Sequence, residues 1–166
     1  MQHQVKTIDA NMLISYLSDN RIDKDLKNKI KKFFQPSNTG DIRINIFVYA
    51  LGEVFKWFLE KRDGKKNFDL SDNKRQNILE NLQVMVENGF VSVVRWDDIS
   101  TNIFYHYAEI DKLDYKIQMG DKIALAAFCA DEKSGAFYTN DSDILRSIKI
   151  REYINSLSSS KTIHEP

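Results

Sequence analysis

The 166-residue chain has a single cysteine, two prolines, six glycines, no net charge and no long hydrophobic run. The lone Cys129 excludes an intrachain disulfide and suits a reducing compartment. Lys plus Arg and Asp plus Glu number 24 each, so no whole-molecule field draws in nucleic acid, and affinity of that kind must come from local patches. No stretch approaches the roughly 20 apolar residues that span a membrane, and Met1 to Lys6 lacks the apolar run of a secretory signal. These absences lead us to expect a soluble, cytoplasmic protein. The glycines fall into neither the Walker nor the dinucleotide phosphate-loop pattern. His3, His106 and His164 are scattered, with no Cys, Asp or Glu at zinc-ligand spacing. Cys129 has no partnered His and reads as a packing thiol.

What is present is an apolar content of 42%, enough to fill a sizeable core, with 29% charged residues to cover it. The length suits one domain. Val5 to Ile8 predicts a buried strand, Asn11 to Leu17 a helix, and Ile22, Leu26, Ile30 and Phe33 recur at helical spacing. Gln35 to Gly40 has loop composition, and Ile42 to Ile44 predicts a second strand. Asn45 would cap an apolar helix reaching about Lys61, followed by a charged turn around Gly64 and an amphipathic helix from Ser71 to Glu87. Phe90 to Val94 is β-branched and predicts the third strand. Asp97 or Asp98 would open a helix carrying Ile99, Ile103, Tyr107 and Ile110. Gly120 and Asp121 would begin an alanine-rich helix, Ala136 to Thr139 a fourth strand, and Ile144 to Leu157 two short helices. We expect one domain over residues 1–157 and a flexible tail over 158–166. Strands alternating with helices imply a three-layer α/β/α sandwich around a mostly parallel sheet.

Four acids stand out against this frame: Asp9 after the first strand, Glu53 in the helix after the second strand, Asp121 at the start of the alanine-rich helix, and Asp141 after the last strand. Each lies in apolar sequence where an unpaired charge is expensive to bury. Ligands of open α/β sheets collect beyond the carboxyl ends of the strands, where Asp9 and Asp141 would look. Taken singly, Asp9, Asp121 and Asp141 read equally well as helix caps. Glu53 lies off the apolar stripe of Phe47, Leu51, Val54, Phe55 and Phe58 and reads as a solvated glutamate. Gathered together, the four would need a hard divalent cation to offset their repulsion.

The segments Thr7-Ile8-Asp9-Ala10-Asn11, Ala50-Leu51-Gly52-Glu53-Val54, Asp121-Lys122-Ile123-Ala124-Leu125-Ala126-Ala127 and Tyr138-Thr139-Asn140-Asp141-Ser142-Asp143 resemble, in order, the four motifs of PIN-domain ribonucleases. The resemblance spans Val5 to about Ile144. It implies a PIN-like fold and a divalent-metal-dependent endoribonuclease, with Asp9, Glu53, Asp121 and Asp141 as the acidic catalytic quartet. The same residues would bind Mg²⁺ or Mn²⁺, with Asp143 a fifth carboxylate, while Asn11 and Thr139 orient the aspartates or the phosphate of an RNA substrate. Many small PIN proteins are toxins of toxin–antitoxin pairs, so an antitoxin protein and a homodimer are the implied partners. Departures lie in extra length before Glu53 and between Glu53 and Asp121, and in Gly52 and Gly120 where other small residues are common.

Two other function classes stay open. A catalytically silent PIN scaffold would bind RNA or a protein without cutting. A phosphoacceptor receiver domain would need an aspartate after its third strand and a lysine after its last, for which Val91-Ser92-Val93-Val94-Arg95-Trp96-Asp97-Asp98 is a poor version. Basic clusters at Lys24-Lys27-Lys29-Lys31-Lys32, Lys61-Arg62-Lys65-Lys66 and Lys74-Arg75 read as solvated faces, or as phosphate contacts beside an acidic site. The aromatics of Ile22 to Phe34 and Phe47 to Phe58 fit either a buried interface between copies or a thicker core.

Overall fold

Every strand of the sheet runs in the same direction, which places the ends of all of them on one rim. The computed structural model describes residues 4–18, 23–38, 42–59, 71–158 and 160–166. In chain order these form β1 (Gln4–Ile8), α1 (Ala10–Leu17), α2 (Lys24–Asn38), β2 (Ile42–Phe47), α3 (Val48–Leu59), α4 (Asp72–Glu87) and β3 (Val91–Val94). A short 3-10 helix (Trp96–Asp98) leads to α5 (Ile103–Leu113), α6 (Met119–Ala130), β4 (Ala136–Tyr138), α7 (Ser142–Arg146), α8 (Ile148–Leu157) and β5 (Thr162–His164). The sheet order is β3-β2-β1-β4-β5, with all pairings parallel. Parallel neighbours need crossover connections, and the intervening helices supply them on both faces.

Side chains alternate across the strands and feed two cores. Ile8, Ile44, Ile46 and Val91 meet Met12, Leu13, Ile30, Phe34, Val54, Phe58, Ile78 and Leu82, from α1 to α4, on one face. Phe47 and Phe137 meet Ile103, Ile110, Leu125, Phe128, Ile150 and Ile154, from α5, α6 and α8, on the other. The result is the three-layer α/β/α sandwich expected from the alternation of elements. Most of the aromatics in α2 and around α3 belong to the core: Phe33, Phe34, Phe47 and Phe58 are buried, while Phe55 and the nearby Leu59 are exposed.

Several boundaries differ from the sequence expectations. Asn45 does not cap a helix; it continues β2 between Thr7 and Ser92, because the strand pairs out to Phe47. α2 runs on to Asn38 through residues of loop composition, since Pro36 falls in its last turn, where its missing N–H removes a single helical bond. Asp97 and Asp98 sit in the 3-10 helix, where both carboxylates bond to Arg95, and α5 starts only at Ile103. Gly89 does stop α4, taking up a left-handed φ of 72°.

The largest correction concerns the tail. Residues expected to be flexible instead form β5, which extends the sheet beside β4. Its anchor is Lys161, whose Nζ donates to the carbonyls of Phe128, Asp131 and Ser134 at 2.8, 2.7 and 2.9 Å. An ammonium at the C-terminal end of α6 meets carbonyls that lack helical partners, so the bonds and the helix dipole act together. Ile22, Gly40, the helix end expected at Lys61 and the turn expected around Gly64 lie outside the described residues.

Candidate active site

Asp9 follows β1 directly and is the N-cap of α1, its Oδ1 accepting the Met12 amide at 2.8 Å. The Thr139 hydroxyl donates to its other oxygen. The same hydroxyl accepts the Asp141 N–H at 2.9 Å, and the Thr139 N–H donates to the His164 carbonyl of β5 at 3.1 Å. Thr139 therefore joins the last strand, the first acid and the fourth acid. Asp9 is 1% exposed, and burial pushes its carboxyl up to about 7 despite the two hydrogen bonds; the charges of Asp141 and Glu53 add to the rise.

Asp121 lies in the first turn of α6. Its carboxyl is also pushed up to about 7, by burial first and then by Asp9, Asp141, Glu53 and Asp143. All four other acids thus act electrostatically on this one group. Asp141 caps α7, accepting the Asp143 and Ile144 amides at 2.7 and 3.3 Å. Asp143 is exposed at the rim. Glu53 is half-buried rather than solvated; burial raises its carboxyl, and the Lys56 charge works against the rise. Its carboxylate lies against Gly120 of α6. Asn11 is half-buried in the first turn of α1 and makes no hydrogen bond to the acids.

Two positions escaped the sequence reading. Asn140 Nδ2 donates to the buried Ser15 hydroxyl at 2.9 Å, tying the loop that carries Asp141 to α1. Gly120, noted only as a departure from the motif, is where α6 admits Glu53. An Asn beside the motif aspartate is the one signal for the first; nothing local signals the second.

Hard carboxylate oxygens that raise one another's pKa suit a divalent cation such as Mg²⁺ or Mn²⁺. Asp9, Glu53, Asp121 and Asp141 are the residues that could hold it, with Asp143 at the edge. Among the described residues, no three carboxylate, imidazole or thiol groups already stand at the spacing of ligands to one ion. Side-chain rotation would have to bring them to it. The remaining candidates recede: Cys129 is buried, with its thiol pushed up to about 12, and His106 is half-committed to Tyr153 through a 2.7 Å hydrogen bond. Asp97 and Asp98 are exposed and engaged with Arg95, which leaves the receiver-domain alternative without a phosphoacceptor pocket. Lys24, Lys29, Lys31 and Lys32 are exposed on α2, while the cluster from Lys61 to Lys66 lies outside the described residues.

No protein-family model matches the chain, and no curated protein matches it in sequence. Among solved structures it is similar to a chain in the crystal structure of VapBC2 from Rickettsia felis bound to a DNA fragment from their promoter. The two are 12% identical, the match covers 98% of each chain, and the TM-score is 0.58. At that identity the likeness speaks for the fold: the chain has a PIN-like α/β/α sandwich.

Proposed function

We propose that this chain is a ribonuclease of the PIN type, a divalent-metal-dependent endoribonuclease that hydrolyses RNA phosphodiester bonds. The observation that carries the reading is the electrostatic coupling of Asp121 to Asp9, Glu53, Asp141 and Asp143, acids from three other segments, at the carboxyl rim of a parallel sheet. Fold likeness to a VapBC2 chain supports the nuclease class. Bound Mg²⁺ or Mn²⁺, held by Asp9, Glu53, Asp121 and Asp141, would supply Lewis-acid polarisation of the phosphate and acidification of water.

The chain's own groups do the positioning. Thr139 fixes Asp9 in one rotamer by hydrogen bonding and is itself held by β5, so the first acid is preorganised before substrate arrives. Burial of Asp9 excludes water from one side of the site and strengthens each electrostatic interaction there. Exposed Asp143 would meet substrate, with Asn11 and the exposed lysines of α2 as candidate phosphate contacts.

An antitoxin-like protein or a second copy of the chain is the partner this reading entails, and exposed Phe55 and Leu59 on α3 offer apolar contact area. A cytoplasmic location belongs to the same proposal; no helix among the described residues is long and apolar enough to cross a membrane. The test is incubation of purified protein with structured and single-stranded RNAs plus Mg²⁺ or Mn²⁺. Cleavage should require the metal and vanish in the Asp9→Asn, Asp121→Asn double variant. RNA or protein binding without cleavage under every metal condition would favour the silent scaffold.

A further inference from the structure

Glycine inside a helix needs a reason, because alanine is the better helix former. At Gly120 the reason is not backbone conformation: Gly89 is the glycine with positive φ among the described residues, and Gly120 is buried in the first turn of α6. A Cβ placed there would overlap the Glu53 carboxylate, lying 2.7 Å from Cδ, 3.0 Å from Oε2 and closer still to Oε1. At Gly52, also helical, a Cβ would meet nothing within 4 Å. The missing methyl at position 120 is therefore occupied by the carboxylate of an acid from another element.

We infer that Gly120 is a positioning residue for the acidic site: its lack of a side chain lets the Glu53 carboxylate lie against α6, one residue from Asp121. The inference rests on the proposed metal site, which it deepens by assigning a role outside the acids. Two effects of Gly120→Ala separate here. The colliding atoms are the far end of a flexible side chain, so the fold accommodates the methyl by swinging Glu53 away, and the helix gains propensity. The site loses more, because a Glu53 swung away from α6 no longer lies within a short rotation of Asp121, and one of four donors is withdrawn. Alanine at 120 should leave the fold as stable as before, or more stable, and damage only the site.

The experiment is a double-variant cycle read by Mn²⁺ calorimetry, thermal melting and ¹³C NMR of the Glu53 carboxyl in metal-free protein. Gly120→Ala should keep or raise the melting temperature, shift the Glu53 ¹³Cδ resonance, and weaken Mn²⁺ binding by about tenfold or more. In an Glu53→Ala background, adding Gly120→Ala should leave Mn²⁺ affinity unchanged. Gly52→Ala, the matched control, should raise melting temperature without touching Mn²⁺ affinity. Wild-type affinity in Gly120→Ala, or a lowered melting temperature that accounts for its weaker binding, would overturn the inference. Should the wild type bind no Mn²⁺, the metal-site reading itself fails, and the NMR arm decides separately: an unmoved Glu53 resonance in metal-free Gly120→Ala contradicts the positioning role.

Discussion

Two charged side chains are buried at opposite ends of the sheet, and the fold treats them differently. Lys161 precedes β5 at the amino end, is 7% exposed, and directs its ammonium at three backbone carbonyls. Burial lowers its pKa, while the acids Asp131 and Glu132 work the other way. Asp9 follows β1 at the carboxyl end, is 1% exposed, accepts two hydrogen bonds, and faces further negative charge. The first charge is satisfied by the chain itself; the second is not. A buried charge with its partners present holds structure together, whereas one with like-charged neighbours is held in place by the rest of the fold, as binding sites are.

Removing the satisfied charge should have the largest effect on stability. Lys161→Ala deprives the Phe128 and Ser134 carbonyls of their donor, leaves that of Asp131 with the Ser134 N–H alone, and loosens β5, at a cost of about 2–4 kcal/mol. Urea denaturation measures the loss, and faster amide exchange at Thr139, whose N–H rests on β5, would locate it. A cavity of about 420 Å³ lined by Cys129, His106 and Lys161 adjoins this anchor, so water can reach the orphaned carbonyls and keep the figure from rising further.

Removing the unsatisfied charge should do the opposite. Asp9 has a folded-state pKa raised from 3.8 to about 7, so the folded protein holds a proton that the unfolded chain has released. The stability from that proton is complete below about pH 4, declines as pH rises, and is gone once pH passes 7. Metal-free protein should accordingly melt lower at pH 8 than at pH 5.5, and Asp9→Asn should flatten this difference. At pH 8 in a chelator, the variant should be about 1–2 kcal/mol more stable than the wild type. A variant less stable than the wild type under those conditions would erase the contrast between the two ends.

The smallest effect belongs to the tether between the two motif segments. Asn140→Ala removes one half-buried hydrogen bond to Ser15 and should cost about 1 kcal/mol or less, with a larger loss in RNA cleavage than in stability. Equal losses in both would reduce Asn140 to a structural residue.

The two ends also differ in how far the sequence discloses them. Asp9 and Asp141 are legible because a strand pattern ends just before each, and a parallel sheet sends such ends to one rim. Glu53 is misleading, since a helical wheel compares it with its own helix, while its burial comes from α6 across the site. Gly120 is silent for the same reason: a glycine says that space is needed, not who fills it. β5 is hidden because three residues after a serine run carry no periodicity, and the lysine that fixes them reads as a solvated tail. Its three acceptors come from α6 and the turn beyond it, about 30 residues away in sequence, so only the fold reveals the bonds. Asn45, similarly, is drawn into β2 by pairing on both sides, against its capping propensity.

The acidic rim is proposed to bind a divalent cation. Calorimetric titration of the metal-free protein with Mn²⁺ near pH 7, repeated in buffers of different ionisation enthalpy, tests it most directly. The account predicts binding with release of protons, because Asp9 and Asp121 are part-protonated at that pH. It also predicts loss of that binding in the Asp9→Asn, Asp121→Asn variant. Absence of binding by the wild type, or binding that persists unchanged in the variant, would contradict it.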